Sequence, residues 1–300
     1  MSTLSGHQST ISRGEHAATI ASVGAALRVY TVSGADVVVP FAEDDIAPAF
    51  HGMVLAPWPN RLRDGQYTFA GKDLQVPVSE PALGTALHGL VSWMDWNVTS
   101  HTEDTVTLAL ALPASPGYPF RLDLEVTYAL GDEGLTITTV ARNDGDEALP
   151  YGLGFHPWFS PGDAPLDACS LQLDAQSIVT VDDRLLPTGA SPVSGEFDLR
   201  AARSLDGQPY DHAWVDPIHD ADGRSWARLT RADGTSIAIW ADSGATAWQV
   251  CTGDAVPGVL RAGVAIEPMT CIADAFRTGD DLITIAPGGE HTLAWGIQVG

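Results

Sequence analysis

Arg121-Leu122-Asp123-Leu124-Glu125-Val126-Thr127-Tyr128 alternates polar and apolar side chains without a break. A β-strand turns successive side chains to opposite faces. Leu122, Leu124, Val126 and Tyr128 therefore share one face, as in a strand with one side on a core and the other in water. The turn-forming run Gly131-Asp132-Glu133-Gly134 follows, and then a second strand-like segment over residues 135–143. Segments 17–20, 27–32, 105–112, 170–173, 227–230, 236–240, 246–251, 263–267 and 291–299 read in the same way. Asn143-Asp144-Gly145, Asp222-Gly223 and Asp233-Gly234 supply further turns. No long amphipathic helix, internal repeat or low-complexity linker interrupts the pattern. The expectation is an all-β fold: one large antiparallel β-sandwich over residues 16–300, preceded by a disordered tail over residues 1–15.

A chain of 300 residues, 45% hydrophobic and 18% charged, can bury a large core and has the balance of a folded protein. Its net charge is −23, carried mostly by aspartate, and Lys72 is the sole lysine. Such a surface repels nucleic acid and anionic membranes. The same composition also suits a GC-rich or salt-adapted genome, so the charge says little about the substrate. A strongly anionic ligand would, however, need a local arginine cluster. Cys169, Cys251 and Cys271 are widely spaced with no C-x-x-C, which argues against a disulfide framework or a zinc site. Reduced thiols in a cytoplasmic protein are the simplest reading. Residues 1–15 lack the apolar stretch of a signal peptide. No apolar run approaches the ~20 residues of a membrane-spanning helix.

The candidate chemistry centres on Leu149-Pro150-Tyr151-Gly152-Leu153-Gly154-Phe155-His156-Pro157-Trp158-Phe159. With a period of two, Leu149, Tyr151, Leu153, Phe155 and Pro157 face a core, while Gly152, Gly154, His156 and Trp158 face the other way. The glycines read as cleared space beside a titratable imidazole and an indole. A core histidine with crowding-relieving glycines is the structural alternative. Asn60-Arg61 follows Pro57-Trp58-Pro59, an extended segment that presents the arginine, against the plainer reading of a surface arginine. Leu87-His88-Gly89 suits a turn with an accessible ring, or a simple loop histidine. In Tyr210-Asp211-His212, the Asp211 carboxylate can accept hydrogen bonds from hydroxyls or cap a turn. In Arg261-Ala262-Gly263-Val264-Ala265-Ile266-Glu267-Pro268, Glu267 faces away from the core along a strand whose own face is Gly and Ala. There is no P-loop, no G-x-G-x-x-G and no G-x-S-x-G elbow. Asp220-Ala221-Asp222-Gly223 lacks the remaining ligands of a calcium loop.

Taken in order, Gly24-Ala25-Ala26-Leu27, Asn60-Arg61, Leu87-His88-Gly89, Phe155-His156-Pro157, Asp211-His212, Ile266-Glu267-Pro268 and Asp274-Ala275-Phe276 resemble the aldose 1-epimerase (mutarotase) family over nearly the whole chain. The resemblance implies a galactose mutarotase-like β-sandwich with a sugar-binding cleft on one face. It also implies no metal or organic cofactor. It assigns Glu267 as general base and His156 as general acid. Arg61, His88 and Asp211 become ligands of the ring oxygen and hydroxyls. Gly154-Phe155-His156-Pro157-Trp158-Phe159 departs from the Ser-Tyr-Phe-type run of galactose mutarotases. It is closer to a bacterial subgroup that includes hexose and sulfosugar mutarotases.

The chemistry so implied opens and recloses the hemiacetal of an aldohexose by two proton transfers. A carboxylate near His156 is expected to favour its imidazolium form. Trp158 is a candidate wall for the sugar ring and Asn60 a further substrate-binding candidate, and Trp58 and Trp93 flank the other motifs. Arg63 and Arg261 are available to an anionic C6 substituent. Two rival readings stay open: a glycoside hydrolase using Asp211 and Glu267 as paired carboxylates, and a non-catalytic carbohydrate-binding module. The oligomeric state is not legible.

Overall fold

The structure, a computed structural model, describes residues 3–300. It is mostly β, with one four-residue α-helix, Ala275–Thr278, among the described residues. The alternating segment that opened the sequence reading is the strand Leu122–Gly131, with Leu122, Leu124, Val126, Tyr128 and Leu130 buried. It pairs in unbroken antiparallel register with Gly134–Asn143 through the Gly131-to-Gly134 turn. These strands belong to a nine-stranded sheet that also includes Thr105–Leu112, Glu290–Val299, Ser236–Ala241 and Ser225–Thr230. A second sheet, of seven strands in sequence with Trp158–Phe159 attached, runs Pro187–Pro192, Ala175–Val181, Asp211–Pro217, Ala247–Cys251, Val264–Met269, Gly154–Phe155 and Val54–Leu55. The two sheets contribute to one hydrophobic cluster that extends from Ile11 to Ile297. Burial of such alternating faces is what drives two sheets together.

The segment expected as a disordered tail is instead part of the fold. Gln8–Arg13 pairs residue for residue with His16–Ala21, in a four-stranded sheet completed by Ala26–Val32 and Ala35–Asp36. Ile11 lies in the main core. Only Met1 and Ser2 of the expected tail fall outside the described residues. The strand Gln8–Arg13 escapes a composition-based reading because Ile11 is its one large apolar residue. Its backbone ladder, together with the single buried side chain of Ile11, ties it down.

The stretch 149–159 keeps its alternation but serves three short strands rather than one. Leu149–Tyr151 pairs with Ile283–Ile285, Gly154–Phe155 with Met269 and with Val54–Leu55, and Trp158–Phe159 with Val264–Ala265. Leu149, Tyr151, Leu153, Phe155 and Phe159 enter the core cluster as the alternation requires. The two glycines, however, are not cleared space for a ligand. A β-carbon on Gly152 would stand 2.6 Å from Cys271 Sγ and 3.2 Å from Pro59 Cδ. One on Gly154 would stand 2.7 Å from Pro59 Cβ and 3.2 Å from Met269 Cγ. Gly263 is likewise filled, by Val39 Cγ2 at 2.5 Å and the Phe159 carbonyl at 2.6 Å. The glycines let the segment that carries Asn60 and Arg61 approach the strand that carries His156.

Pro59 is a rigid ring and cannot retreat, so Gly154→Ala is expected to cost about 1–3 kcal/mol through overpacking. Denaturant unfolding of the variant against wild type checks this. Unchanged stability would show that Pro59 yields.

Candidate active site

The second sheet sets the site by register. Asp211–Pro217, Ala247–Cys251 and Val264–Met269 lie side by side, and Gln249 stands opposite Glu267. Glu267 projects from its strand into a cavity of about 340 Å³. His156 reaches the same cavity from the bend between Gly154–Phe155 and Trp158–Phe159. Asn60, Arg61, His88, Trp158 and Asp211 line it too, so the seven candidate site residues converge on one space. A wider groove of about 540 Å³ lies elsewhere, between the hairpin at Gln66–Phe69 and Arg277. It has one carboxylate, Asp73, and no histidine, and so offers no acid–base pair.

At the floor, His156 Nε2 lies 3.4 Å from Glu267 Oε1, with side-chain exposures of 8% and 2%. His156 Nδ1 and Glu267 Oε2 are buried without a partner. Burial dominates the ionisation of both. It lowers the His156 pKa to about 3, helped by charge at His51 and Arg61. It raises Glu267 well above the usual carboxylate range, with Asp211 adding to the effect and Arg61 opposing it. The expected imidazolium is therefore not the form favoured in this cavity, because desolvation outweighs the attraction of one neighbouring carboxylate. Burial thus shifts both groups toward their uncharged forms, the carboxyl and the neutral imidazole.

The other side chains are held by identifiable partners. Arg61 makes a bidentate contact with Glu80, at 2.9 and 3.0 Å, and Thr85 Oγ1 donates to the same carboxylate. Its strand, Arg61–Arg63, is braced by Asp274, whose amide donates to the Arg61 carbonyl and whose carboxylate accepts from the Arg63 amide. His88 Nδ1 accepts from the Asn60 amide at 3.1 Å, which fixes the tautomer with its proton on Nε2. Burial, then the charges at His156 and Arg61, holds His88 well below the ordinary histidine range, so it is neutral. Gln249 Nε2 donates to Asp211 Oδ1 at 2.7 Å. Trp158 stacks on His51 and His156, with ring centroids 5.1 and 5.7 Å away.

The aldose 1-epimerase family model matches residues 7–298. The chain belongs to the aldose 1-epimerase family. It is 33% identical to the uncharacterized protein YihR of Escherichia coli K12, over 98% of this chain and 93% of that one. In fold it is similar to the GalM/aldose epimerase homologue of C. elegans, with a TM-score of 0.87 and 20% identity over 98% of each chain. It is also similar to a galactose 1-epimerase from Lactobacillus acidophilus, with a TM-score of 0.81 and 19% identity over 97% of this chain and 93% of that one. These likenesses give it the galactose mutarotase-like fold.

Within this aldose 1-epimerase fold, other expectations part from the structure. Trp58 is buried in the core, donating to the Ala86 carbonyl, and takes no part in the cavity. Arg63 is paired with Asp182 and Asp274, and Arg261 with Asp167 and Asp254, so neither lines the cavity. Gln249, Glu80 and Phe50 do line it and were not anticipated. Gln249 had a signal, as a lone amide in the apolar run Ala-Trp-Gln-Val-Cys. Phe50 had none. Its position depends on Ala49 and Phe50 both adopting left-handed φ, 41° and 56°. Such a conformation costs a non-glycine residue roughly 1–2 kcal/mol. The segment is held there by the Trp158 indole on the Ala49 carbonyl at 3.2 Å, and by the Met53 amide on the Phe50 carbonyl at 3.0 Å.

Behind Trp158, burial lowers the His51 pKa to about 4. The unfolded chain protonates this ring near pH ~6.5, the folded chain only near 4. Its neutral burial thus stabilises the protein fully above pH ~6.5, and that contribution is lost progressively as pH falls toward 4. His51→Gln should make stability fall less steeply than in wild type over this window, measured by unfolding at a series of pH values. Equal slopes would show that the ring titrates as freely as in the unfolded chain.

Proposed function

We propose that this chain interconverts the α and β anomers of a neutral aldohexose, with His156 and Glu267 as its acid–base pair. The observation that carries the reading is their contact: two buried titratable groups 3.4 Å apart, both lining the same cavity. Anomer exchange needs one group to take the proton of the C1 hydroxyl and another to give a proton to the ring oxygen. A pair that shares one proton has this capacity. Transfer across the contact converts carboxyl and neutral imidazole into carboxylate and imidazolium with no change in net charge. Glu267 then takes the C1-hydroxyl proton and His156 donates to the ring oxygen. The C1 carbonyl forms as the C1–ring-oxygen bond breaks. These steps return the pair to carboxyl and neutral imidazole, the form that burial favours. The cavity electrostatics therefore stabilise the pair in the state that accompanies the ring-opened sugar. Rotation about C1–C2 presents the other carbonyl face, and closure reverses both transfers.

Around this pair, the Nε2 proton of His88 and the Arg61 guanidinium are donors for sugar oxygens. Asp211, held by Gln249, is an acceptor for hydroxyls, and Asn60 fixes Arg61 and His88. Trp158 offers an apolar wall. The charge balance supports a neutral ring. Arg61 is the only lysine or arginine among the described residues lining the cavity, and Glu80 already occupies it bidentately. Asp211 and Glu267 face the same space. A phosphate or sulfonate would find no free cation there.

Anomer-exchange NMR with glucose, galactose, a hexose 6-phosphate and a hexose 6-sulfonate tests this reading. Accelerated exchange of a neutral hexose is expected, with Glu267→Gln and His156→Asn each slowing it by at least about 10²-fold. Near wild-type rates in both variants would remove the pair from the mechanism. Preference for an anionic sugar would overturn the neutral assignment. Reducing-sugar release from aryl glycosides would favour a hydrolase, and tight sugar binding without exchange a binding module.

A further inference from the structure

The cavity holds an ion pair in addition to its acid–base pair. Arg61 and Glu80 both line it, with side-chain exposures of 13% and 21%. Arg61 Nε donates to Glu80 Oε2 at 2.9 Å, and Nη2 donates to Oε1 at 3.0 Å. This is the bidentate grip with which a guanidinium recognises a carboxylate or a phosphate. Nη1 has only a 3.5 Å contact, with Asn60 Oδ1. A neutral hydroxyl needs one donor and can use Nη1. An anion needs unopposed charge as well, and Glu80 has taken it.

Glu80 is built into this position. Its amide donates to the Thr85 carbonyl at 2.9 Å and its carbonyl accepts from the Thr85 amide at 3.2 Å, which closes the turn between them. Thr85 begins the strand Thr85–Leu87, which pairs with Arg61–Arg63, and its hydroxyl donates to Glu80 Oε2. Arg184 holds the same turn through the carbonyls of Leu83 and Gly84, each at 2.7 Å. The backbone pairing that places Arg61 therefore places its counter-ion too. A carboxylate ordered in this way competes with a dissolved anion as an intramolecular group, at high effective concentration. Asp211 is a further carboxylate facing the same space. With Glu80 in place, Arg61 is cancelled and Asp211 leaves the cavity anionic. Without it, Arg61 balances Asp211 and its bidentate edge is open.

We propose that Glu80 sets the charge specificity of this cavity: by occupying Arg61 it excludes anionic ligands and leaves Nη1 to a neutral hydroxyl. The inference rests on the reading of the cavity as the site of a neutral sugar. It also separates from a merely structural role. An ion pair that only braced the fold would cost stability when Glu80 is replaced, and would not create an anion site.

The test measures binding of inorganic phosphate by titration calorimetry, and its inhibition of glucose anomer exchange. Glu80→Gln, which keeps the shape and removes the charge, should bind phosphate at least about tenfold more tightly than wild type, in competition with glucose. Glu80→Asp, which disturbs the contact but keeps the charge, should stay near wild type. Combining Arg61→Gln with Glu80→Gln should abolish the gain, which assigns it to Arg61. Unchanged phosphate affinity in Glu80→Gln, or a gain that survives Arg61→Gln, overturns the proposal. So does glucose-displaceable phosphate binding by wild type at millimolar or tighter affinity, a result that needs no variant to fold. Calorimetry requires no turnover, so the two readings fail separately. A phosphate site gained in Glu80→Gln, with no sugar exchanged by wild type, supports Glu80 as the charge gate and overturns only anomer exchange. Rapid exchange of glucose with no phosphate site gained overturns only the role of Glu80.

Discussion

His156 and Glu267 are kept together out of water by the surrounding sheet, and the rest of the site depends on that constraint. Desolvation penalises the charged form of each, and their single 3.4 Å contact does not compensate for it. Two buried heteroatoms are left without partners. An arrangement of this kind contributes little to stability and persists only because the strands on either side over-determine it. The same conditions favour the uncharged form of each group.

The over-determination can be followed through the backbone. Met269 pairs with Gly154 on one side and with Ala247 on the other, so the strand of Glu267 is held between the strand leading to His156 and that of Gln249. The Leu153 amide donates to Thr270 Oγ1, and the Thr270 amide to the Leu153 carbonyl. Gly152 and Gly154 then let Pro59 and Cys271 pack against this bend. Asn60 and Arg61 arrive at the cavity as a result, and Asp274 and Glu80 hold them there. The glycines thus act on the site through packing, at one remove from any ligand.

Much of the fold was legible because each central strand has a period-two pattern of its own. Leu122–Gly131 and Gly134–Asn143 carry their burial pattern in full view, and the turn between them needs its glycines. Gln8–Arg13 carries too few apolar residues to show such a pattern in sequence, and the exposed edge strand Pro187–Pro192 is defined by backbone pairing rather than side-chain burial. Within the site, His156 and Glu267 could be read because each interrupts an apolar run. Phe50 could not, because a phenylalanine in an irregular segment looks like any core residue until a left-handed turn brings it over His88.

The sequence by itself determined the fold class, the alternation of the central strands and the residue types that meet in the cavity. Those properties are local, set by the neighbours of each residue along the chain. Tertiary structure alone decided that burial shifts His156 and Glu267 toward their uncharged forms, that Arg63 and Arg261 are committed to other carboxylates, and that the glycines are filled by Pro59 and Cys271. It also decided which of Trp58, Trp93 and Trp158 meets the cavity. Each of these depends on burial and on partners far away in sequence, and desolvation has no value until the whole sheet is in place.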